Sequence, residues 1–280
     1  MSWLDALILG IVQGLAEYLP ISSSGHLEIC RQILGVDLDG GASLEFDVML
    51  HVATVLSTIV VLWREFIPLC VSFFTFRRDN NFYYVCKILV SCIPVGIVGI
   101  CFKDVVEQFF NGNLTVVGVC LCVTACLLTF AYFFRTSPLL KASGVKDKPY
   151  TPRDITWLDA FIIGCAQAVA VLPGLSRSGT TIATGILIGD RREQVAQFSF
   201  FMVIIPILGE ALLDCKKMIA PAADAVQNVS VGALPMAVGF LASFIVGCLA
   251  CSWMLKLVKK GKLVWFALYC LIAGIICIIF

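Results

Sequence analysis

QGLAEYLPISSSGH, residues 13–26, places three serines, a glycine and a histidine directly after an apolar run. The chain is 60% hydrophobic and 14% charged, with a mean hydropathy of +0.96, which is typical of an integral membrane protein. Lipid cannot satisfy such a polar cluster, because unpaired polar groups in the hydrocarbon core cost several kcal/mol each. Residues 13–26 must therefore line protein or water, and so must PGLSRSGTT at 173–181.

The two stretches belong to a sequence duplication. With an offset of 154 residues, residues 3–35 align without a gap with 157–189, and twelve of the 33 pairs are identical. The identical pairs include Trp, Asp, Gln, Ser and Gly, whereas chance similarity between apolar helices would match Leu, Ile and Ala. We therefore predict a single membrane domain over 1–280, with one repeat at about 1–135 and a second at about 155–280.

The remaining apolar stretches predict an all-α polytopic membrane protein. A helix needs ~20 apolar residues to cross the hydrocarbon core. The runs before the polar clusters, 3–19 and 157–172, are shorter and meet a proline, so each should form a re-entrant pair with the helix that follows. Three transmembrane helices per repeat make an odd number of crossings, which predicts two inverted-topology repeats. The predicted spans are 45–64, 83–102, 114–134, 194–213, 231–256 and 263–280.

Basic residues predict the orientation. One side should carry most of them, and the positive-inside rule makes that side cytoplasmic. Both termini should then face outward, and the site should open outward too, because the first hairpin enters from the side of the termini. The cytoplasmic set comprises Arg64, Arg77, Arg78, the segments 135–153 and 256–262, Arg191 and Arg192, against Arg31, Lys103, Lys216 and Lys217 outside.

The two polar clusters are candidates for an anion site. A helix beginning inside each cluster would present free N–H groups and the positive end of its dipole, and two such starts facing each other would bind an anion. Arg177 adds a permanent charge on a planar guanidinium that suits phosphate oxygens. Phosphate or diphosphate is the expected ligand. The predicted contact residues are Gln13, Ser22, Ser24, Gly174, Ser176, Ser178, Gly179 and Thr181.

The first cluster also carries candidate reactive groups. Glu17 shares a helical face with Gln13, four residues earlier, and a carboxylate beside a phosphate site usually implies a divalent cation or proton transfer. Ser23 and His26 are three residues apart, so the imidazole should reach the hydroxyl as base or acid for a candidate nucleophile. The predicted catalytic residues are Glu17, Ser23, His26 and Arg177.

Structural interpretations compete with these assignments. Serine and glycine clusters in membranes also serve close helix packing. Arg177 could be a structural ion-pair partner, and Glu17 a satisfied core carboxylate. His51 lies four residues after Asp47 and could pair with it or support the site.

The motifs resemble those of the undecaprenyl-diphosphate phosphatases of the bacitracin-resistance type. The likeness rests on residues 13–26 and 173–181 and extends to FDVMLH at 46–51 and FSFFMVIIP at 198–206. Gln13 stands where some members have glutamate, so Glu17 would be the carboxylate that holds a metal ion.

The resemblance implies hydrolysis of undecaprenyl diphosphate in the bacterial plasma membrane, which regenerates the lipid carrier for peptidoglycan. It implies a divalent cation, Mg2+ or Ca2+, linked to Glu17. It also assigns the family's serine and histidine to Ser23 and His26 and its arginine to Arg177. Whether Ser23 forms a phosphoryl-enzyme or orients water stays open, as does a homodimer.

Three other classes of protein fit the sequence less well. A transporter or flippase for an anionic polyprenyl lipid would share inverted repeats and Arg177, but it needs neither a nucleophile nor a proton carrier. Type 2 phosphatidic acid phosphatases need a histidine downstream of the Ser-Arg element, and no histidine follows His51. A net charge of +1 without long basic runs gives no indication of nucleic-acid binding.

Overall fold

The computed structural model describes residues 1–36, 40–102, 114–136, 153–219, 231–261 and 263–279. These residues form twelve α-helices and no β-sheet, which confirms the all-α prediction. The helices are α1 Trp3–Ala16, α2 Ser23–Leu34, α3 Gly40–Val61, α4 Trp63–Phe74, α5 Asn80–Cys101, α6 Leu114–Thr136, α7 Trp157–Val169, α8 Arg177–Ile188, α9 Arg192–Met202, α10 Ile204–Ile219, α11 Ala233–Lys259 and α12 Val264–Ile279.

Within the described ranges, four helices are long and apolar enough to cross a membrane, which confirms a polytopic membrane protein. They are α3, α5, α6 and α11, with apolar parts at 42–61, 80–101, 114–133 and 233–259. The predicted span at 263–280 corresponds to α12, which has 16 residues. Helix α1 has 14 residues, or about 21 Å at 1.5 Å per residue, short of the ~30 Å hydrocarbon core. The structure also contains α4, which the sequence did not predict.

The predicted span at 194–213 is wrong as a single helix. The chain turns at Val203, between α9 and α10. Pro206 has no N–H to donate to the carbonyl of Met202 four residues earlier, so the helical hydrogen bonding cannot continue there. The Cys92 thiol of α5 donates to that carbonyl at 3.4 Å instead. The break therefore has a local cause and a tertiary partner.

Both polar clusters begin a helix, as predicted. Ser22 is the N-cap of α2 and its hydroxyl accepts from Gly25 N at 3.3 Å, while Ser176 caps α8 and accepts from Gly179 N at 3.0 Å. These serines and glycines are partners in the 154-residue offset. Each preceding helix ends four residues before its proline, α1 at Ala16 and α7 at Val169. Each hairpin is thus two short helices joined by a tight turn.

The first helix of each predicted repeat packs against a long helix of the other repeat. Helix α1 lies along α11, where a Cβ at Gly14 would come within 2.7 Å of the carbonyl oxygen of Ser243 and 2.9 Å of Gly247 N. Helix α7 lies along α5, where Gly164 packs on the backbone of Ser91. Such close approaches leave no room for a side chain, so glycine is required at these crossings.

Helices α6 and α12 form the third close pair, and they run antiparallel. Gly118 of α6 lies against Gly274, Cys277 and Ile278, whereas Cys122, one turn later, lies against Gly274. Residue numbers therefore increase along α6 in the direction in which they decrease along α12. This direction bears on the predicted inversion of the repeats, because α6 and α12 occupy corresponding places in the two.

Replacing Gly164 by alanine is expected to destabilise the protein. The new Cβ would lie 2.8 Å from Ser91 Cα and 2.9 Å from its carbonyl carbon, both of them backbone atoms that cannot move aside. Overpacking of this kind costs about 1–3 kcal/mol. The measurement is the melting temperature of the purified protein in detergent. Gly96→Ala on α5 is the matched control, because nothing lies within 4 Å of its Cβ, and an equal fall in both variants would contradict the packing argument.

Candidate active site

The tips of the two hairpins meet against α6. A Cβ at Gly25 would lie 3.0 Å from Gly174 Cα, and a Cβ at Gly179 would lie 3.1 Å from Pro20 Cβ. The two contacts are equivalent, because residue 25 corresponds to 179 and residue 20 to 174 in the offset of 154. Ser178 Oγ also donates to the carbonyl of Leu19 at 3.1 Å. The N-termini of α2 and α8 are therefore held side by side.

Glu17, in the turn after α1, is the centre of the polar contacts at this junction. Its Oε2 accepts from Gln13 Nε2 at 3.1 Å and from Ser23 Oγ at 2.6 Å. Its Oε1 accepts from Arg177 Nη2 at 3.3 Å, and His51 Nε2 lies 3.6 Å from Oε2. The carboxylate is only 7% exposed, and one buried anion thus gathers two cationic or potentially cationic groups and a hydroxyl.

Four predicted residues, Gln13, Glu17, Ser23 and Arg177, are brought together by direct hydrogen bonds. Two more, Ser178 and Thr181, line the same cleft as Glu17 and Arg177. Thr181 Oγ1 donates back to the carbonyl of Arg177 at 2.9 Å and lies 2.5 Å from Ser199 Oγ. The cleft is therefore walled by both hairpins and by α9.

The other predicted contact residues have visible structural tasks. Ser22 and Ser176 cap their helices, and Ser24 Oγ lies 3.4 Å from Ser22 Oγ. Gly174 has a φ of +87° and packs on the backbone of Val117 in α6, so no side chain fits there. The packing interpretation of these residues accounts for their positions at the tips, and their contact with a ligand stays a prediction.

The predicted hydrogen bond between His26 and Ser23 is wrong. His26 Nδ1 lies 2.8 Å from the carbonyl oxygen of Ser22, and Nε2 lies 2.7 Å from Tyr269 Oη of α12, whose ring stacks on the imidazole. Both nitrogens are thus used away from the Ser23 hydroxyl. Because a carbonyl only accepts, Nδ1 carries the proton and Nε2 accepts from the tyrosine. Ser23 has Glu17 as its hydrogen-bond partner instead.

Three residues near the site had no firm assignment from sequence. His51 does not pair with the Asp47 carboxylate, which binds Arg31; its Nδ1 contacts the Asp47 carbonyl at 2.8 Å, leaving Nε2 toward Glu17. Tyr18 Oη donates to the carbonyl of Thr54 at 2.6 Å and anchors the turn that holds Glu17 to α3. Tyr269 is far away in the sequence, and only its aromatic ring in an apolar helix marks it. None of these signals is specific by itself.

A divalent cation fits the site only together with a substrate. The described residues contain no group of three or more His, Cys, Asp or Glu side chains that could hold a metal ion. Glu17 offers one carboxylate, and the buried Oε1 of Gln13 has no hydrogen-bond partner. Mg2+ is commonly held by one or two carboxylates with substrate phosphates and water completing the shell. The donor set is compatible with that kind of bridging ion.

Comparison with known families agrees with the geometry. Residues 6–276 match the family model for bacitracin resistance protein BacA. The chain belongs to the BacA family. Its motifs at 13–26 and 173–181, which the sequence analysis compared with this family, form the junction of the two hairpins. The resemblance is thereby confirmed over nearly the whole chain.

Several curated relatives carry the name undecaprenyl-diphosphatase. The chain is 53% identical over 279 residues to one from Bacteroides thetaiotaomicron, covering 100% of this chain and 99% of the relative. It is 53% identical to one from Parabacteroides distasonis, covering 99% and 98%. A more distant relative of the same name, from Methanosphaera stadtmanae, is 35% identical with coverage of 99% and 97%.

Proposed function

We propose that this protein hydrolyses undecaprenyl diphosphate to undecaprenyl phosphate and inorganic phosphate. The observation that carries the proposal is the hydrogen bond of 2.6 Å from Ser23 Oγ to Glu17, beside Arg177 and two helix N-termini. A hydroxyl, a carboxylate and a fixed cation are the groups that phosphate transfer requires. The relatives named undecaprenyl-diphosphatase support the same activity, and nothing favours the transporter alternative.

The diphosphate would bind where α2 and α8 begin. Arg177 lies at the first position of α8, and its side chain, 27% exposed, turns toward Glu17 between the two hairpins. Anions are stabilised at helix N-termini by free N–H groups and by the helix dipole. The polyprenyl tail would stay in the surrounding lipid, which explains why a phosphatase has so apolar a surface.

Ser23 is the nucleophile in this proposal, and Glu17 is its base. Ser23 Oγ attacks the terminal phosphorus while its proton passes to the Glu17 carboxylate. The bond from that phosphorus to the bridging oxygen breaks, and undecaprenyl phosphate leaves. Water then cleaves the phosphoserine, and the terminal phosphate departs as inorganic phosphate. Arg177 stabilises the charge on the equatorial oxygens throughout, since phosphoryl transfer depends mainly on positioning and charge neutralisation.

His26 has a positioning role in this scheme. Ser22 has a φ of +71°, a left-handed conformation that is strained for a residue with a Cβ. Its carbonyl accepts the His26 Nδ1 proton, and Tyr269 holds the other side of the ring. The imidazole thus stabilises the sharp entry into α2 that directs the next residue, Ser23, at Glu17.

Ser23→Ala and Glu17→Gln should each lower kcat by about 100-fold or more, because each removes one half of the attacking pair. Arg177→Lys should also be impaired, since an ammonium cannot bind two phosphate oxygens in a planar fork. The assay is phosphate release from undecaprenyl diphosphate by protein purified in detergent. Ser252→Ala on α11 and Glu193→Gln at the start of α9 are controls of matched chemistry outside the cleft. Full activity in Ser23→Ala would exclude the serine mechanism.

A divalent cation is part of the proposal. Held by Glu17, Gln13 Oε1 and the diphosphate oxygens, it would neutralise charge on the phosphates. A chelator should abolish phosphate release, and Mg2+ or Ca2+ should restore it. Independently of activity, inorganic diphosphate should raise the melting temperature of the wild type more with the cation than without it, and Glu17→Gln should lose that difference. A difference unchanged in Glu17→Gln would remove Glu17 as the ligand.

The inverted repeats and the orientation remain proposals, and two contacts support them. Helices α6 and α12 are the last predicted spans of the two repeats and run antiparallel, as inverted copies would. Helix α11 has 27 residues, about 40 Å. Met1 and Met236, near the start of α11, pack against the same buried cluster, whereas Lys259 at its end binds Glu193 at 3.0 Å. Basic residues and the N-terminus therefore lie at opposite ends of α11.

We expect both termini outside the cytoplasm and a site that opens outward. Helix α12 starts at the basic end and returns toward the end that holds the N-terminus. A C-terminal fusion to alkaline phosphatase should be active in cells, and a C-terminal fluorescent protein that folds only in the cytoplasm should be dark. The opposite pair of results would reverse the proposed orientation.

A further inference from the structure

Gln167, near the end of α7, is a buried amide without a partner. Its side chain is 0% exposed, and neither Nε2 nor Oε1 makes a hydrogen bond within the described part of the chain. The side chain lines the cleft that Glu17, Arg177 and Thr181 also line. An unsatisfied buried polar group costs about 1–3 kcal/mol. Two such atoms beside the cleft therefore indicate a missing hydrogen-bonding partner.

The duplication explains why this amide is free. Gln167 corresponds to Gln13 in the offset of 154 residues. Gln13 uses its Nε2 to donate to Glu17 at 3.1 Å. The position that corresponds to Glu17 in the second repeat is Val171, so Gln167 has no carboxylate one turn away. Its donor group is left for another acceptor.

We propose that Gln167 binds the diphosphate headgroup, with its Nε2–H group donating to a non-bridging phosphate oxygen. The cleft offers Arg177 as the charged ligand for the phosphates and Thr181 and Ser199 as neighbouring hydroxyls. A neutral amide can donate to a phosphate oxygen here without forming a further ion pair with Glu17. The two glutamines of the repeats thus have different tasks: Gln13 positions the carboxylate, and Gln167 binds the substrate.

The inference rests on the proposed function, and Gln167→Met tests it. Methionine keeps the length of the side chain and removes both polar atoms. Removing an unpartnered buried amide should leave the melting temperature equal to that of the wild type or higher. The same change should lower kcat/KM about tenfold and raise the inhibition constant of inorganic diphosphate about tenfold, as expected for one hydrogen bond to a charged group.

Two further variants sharpen the test. Gln167→Glu keeps the shape but replaces the donor with an anion, so its inhibition constant for diphosphate should rise further than that of Gln167→Met. Gln194→Met is the matched control, because that amide binds Asp154 at the surface at 2.9 Å, outside the cleft. It should retain wild-type kinetics and diphosphate inhibition.

Two outcomes with an active wild type would overturn the inference. One is an unchanged inhibition constant in Gln167→Met; another is a melting temperature that falls together with activity, which would make Gln167 a packing residue. If the wild type released no phosphate, the proposed function would fail separately. The role of Gln167 would then be tested by the rise in melting temperature that inorganic diphosphate causes. A rise in the wild type that Gln167→Met loses supports the inference, and equal rises, or no rise in the wild type, refute it.

Discussion

The structure depends on satisfying polar groups inside an apolar molecule. Two helices begin in the interior, at Ser23 and Arg177, and their first N–H groups have no helical partner. The capping serines satisfy part of this demand, and the crossed contacts between the hairpin tips exclude lipid from the rest. The N–H groups that remain unsatisfied are the ones that the proposed anion would bind. Glu17 is tolerated there because Arg177 and three further groups surround it.

The two hairpins share a backbone arrangement, but their side chains differ at the positions that meet. Ser23 and Arg177 occupy corresponding positions, each the first residue of its helix, and both bind Glu17 from opposite hairpins. Glu17 itself corresponds to Val171, so the acid is present once. One backbone arrangement used twice therefore brings a hydroxyl and a guanidinium to a common carboxylate.

Local chemistry explains which structural predictions succeeded. The starts of α2 and α8 were predictable because a capping serine acts on an N–H group three residues away. The sequence predicted one span at 194–213 because an apolar run of 20 residues is long enough to cross a membrane. Pro206 breaks this run, since it has no N–H group to donate to the Met202 carbonyl, which accepts from Cys92 instead. The extra helix α4 follows α3 after a single residue and has no separate apolar signal.

The sequence by itself determined the membrane class, the two polar hairpins and the family, and it marked Glu17, Ser23 and Arg177 as candidate site residues. All of these follow from composition or from motifs within a few residues. Only the tertiary structure decided which groups touch: Ser23 binds Glu17, and His26 turns to Tyr269, 243 residues away. Spacing along a helix states which side chains share a face. It cannot state which partner from another helix comes closer, because that depends on how the helices cross.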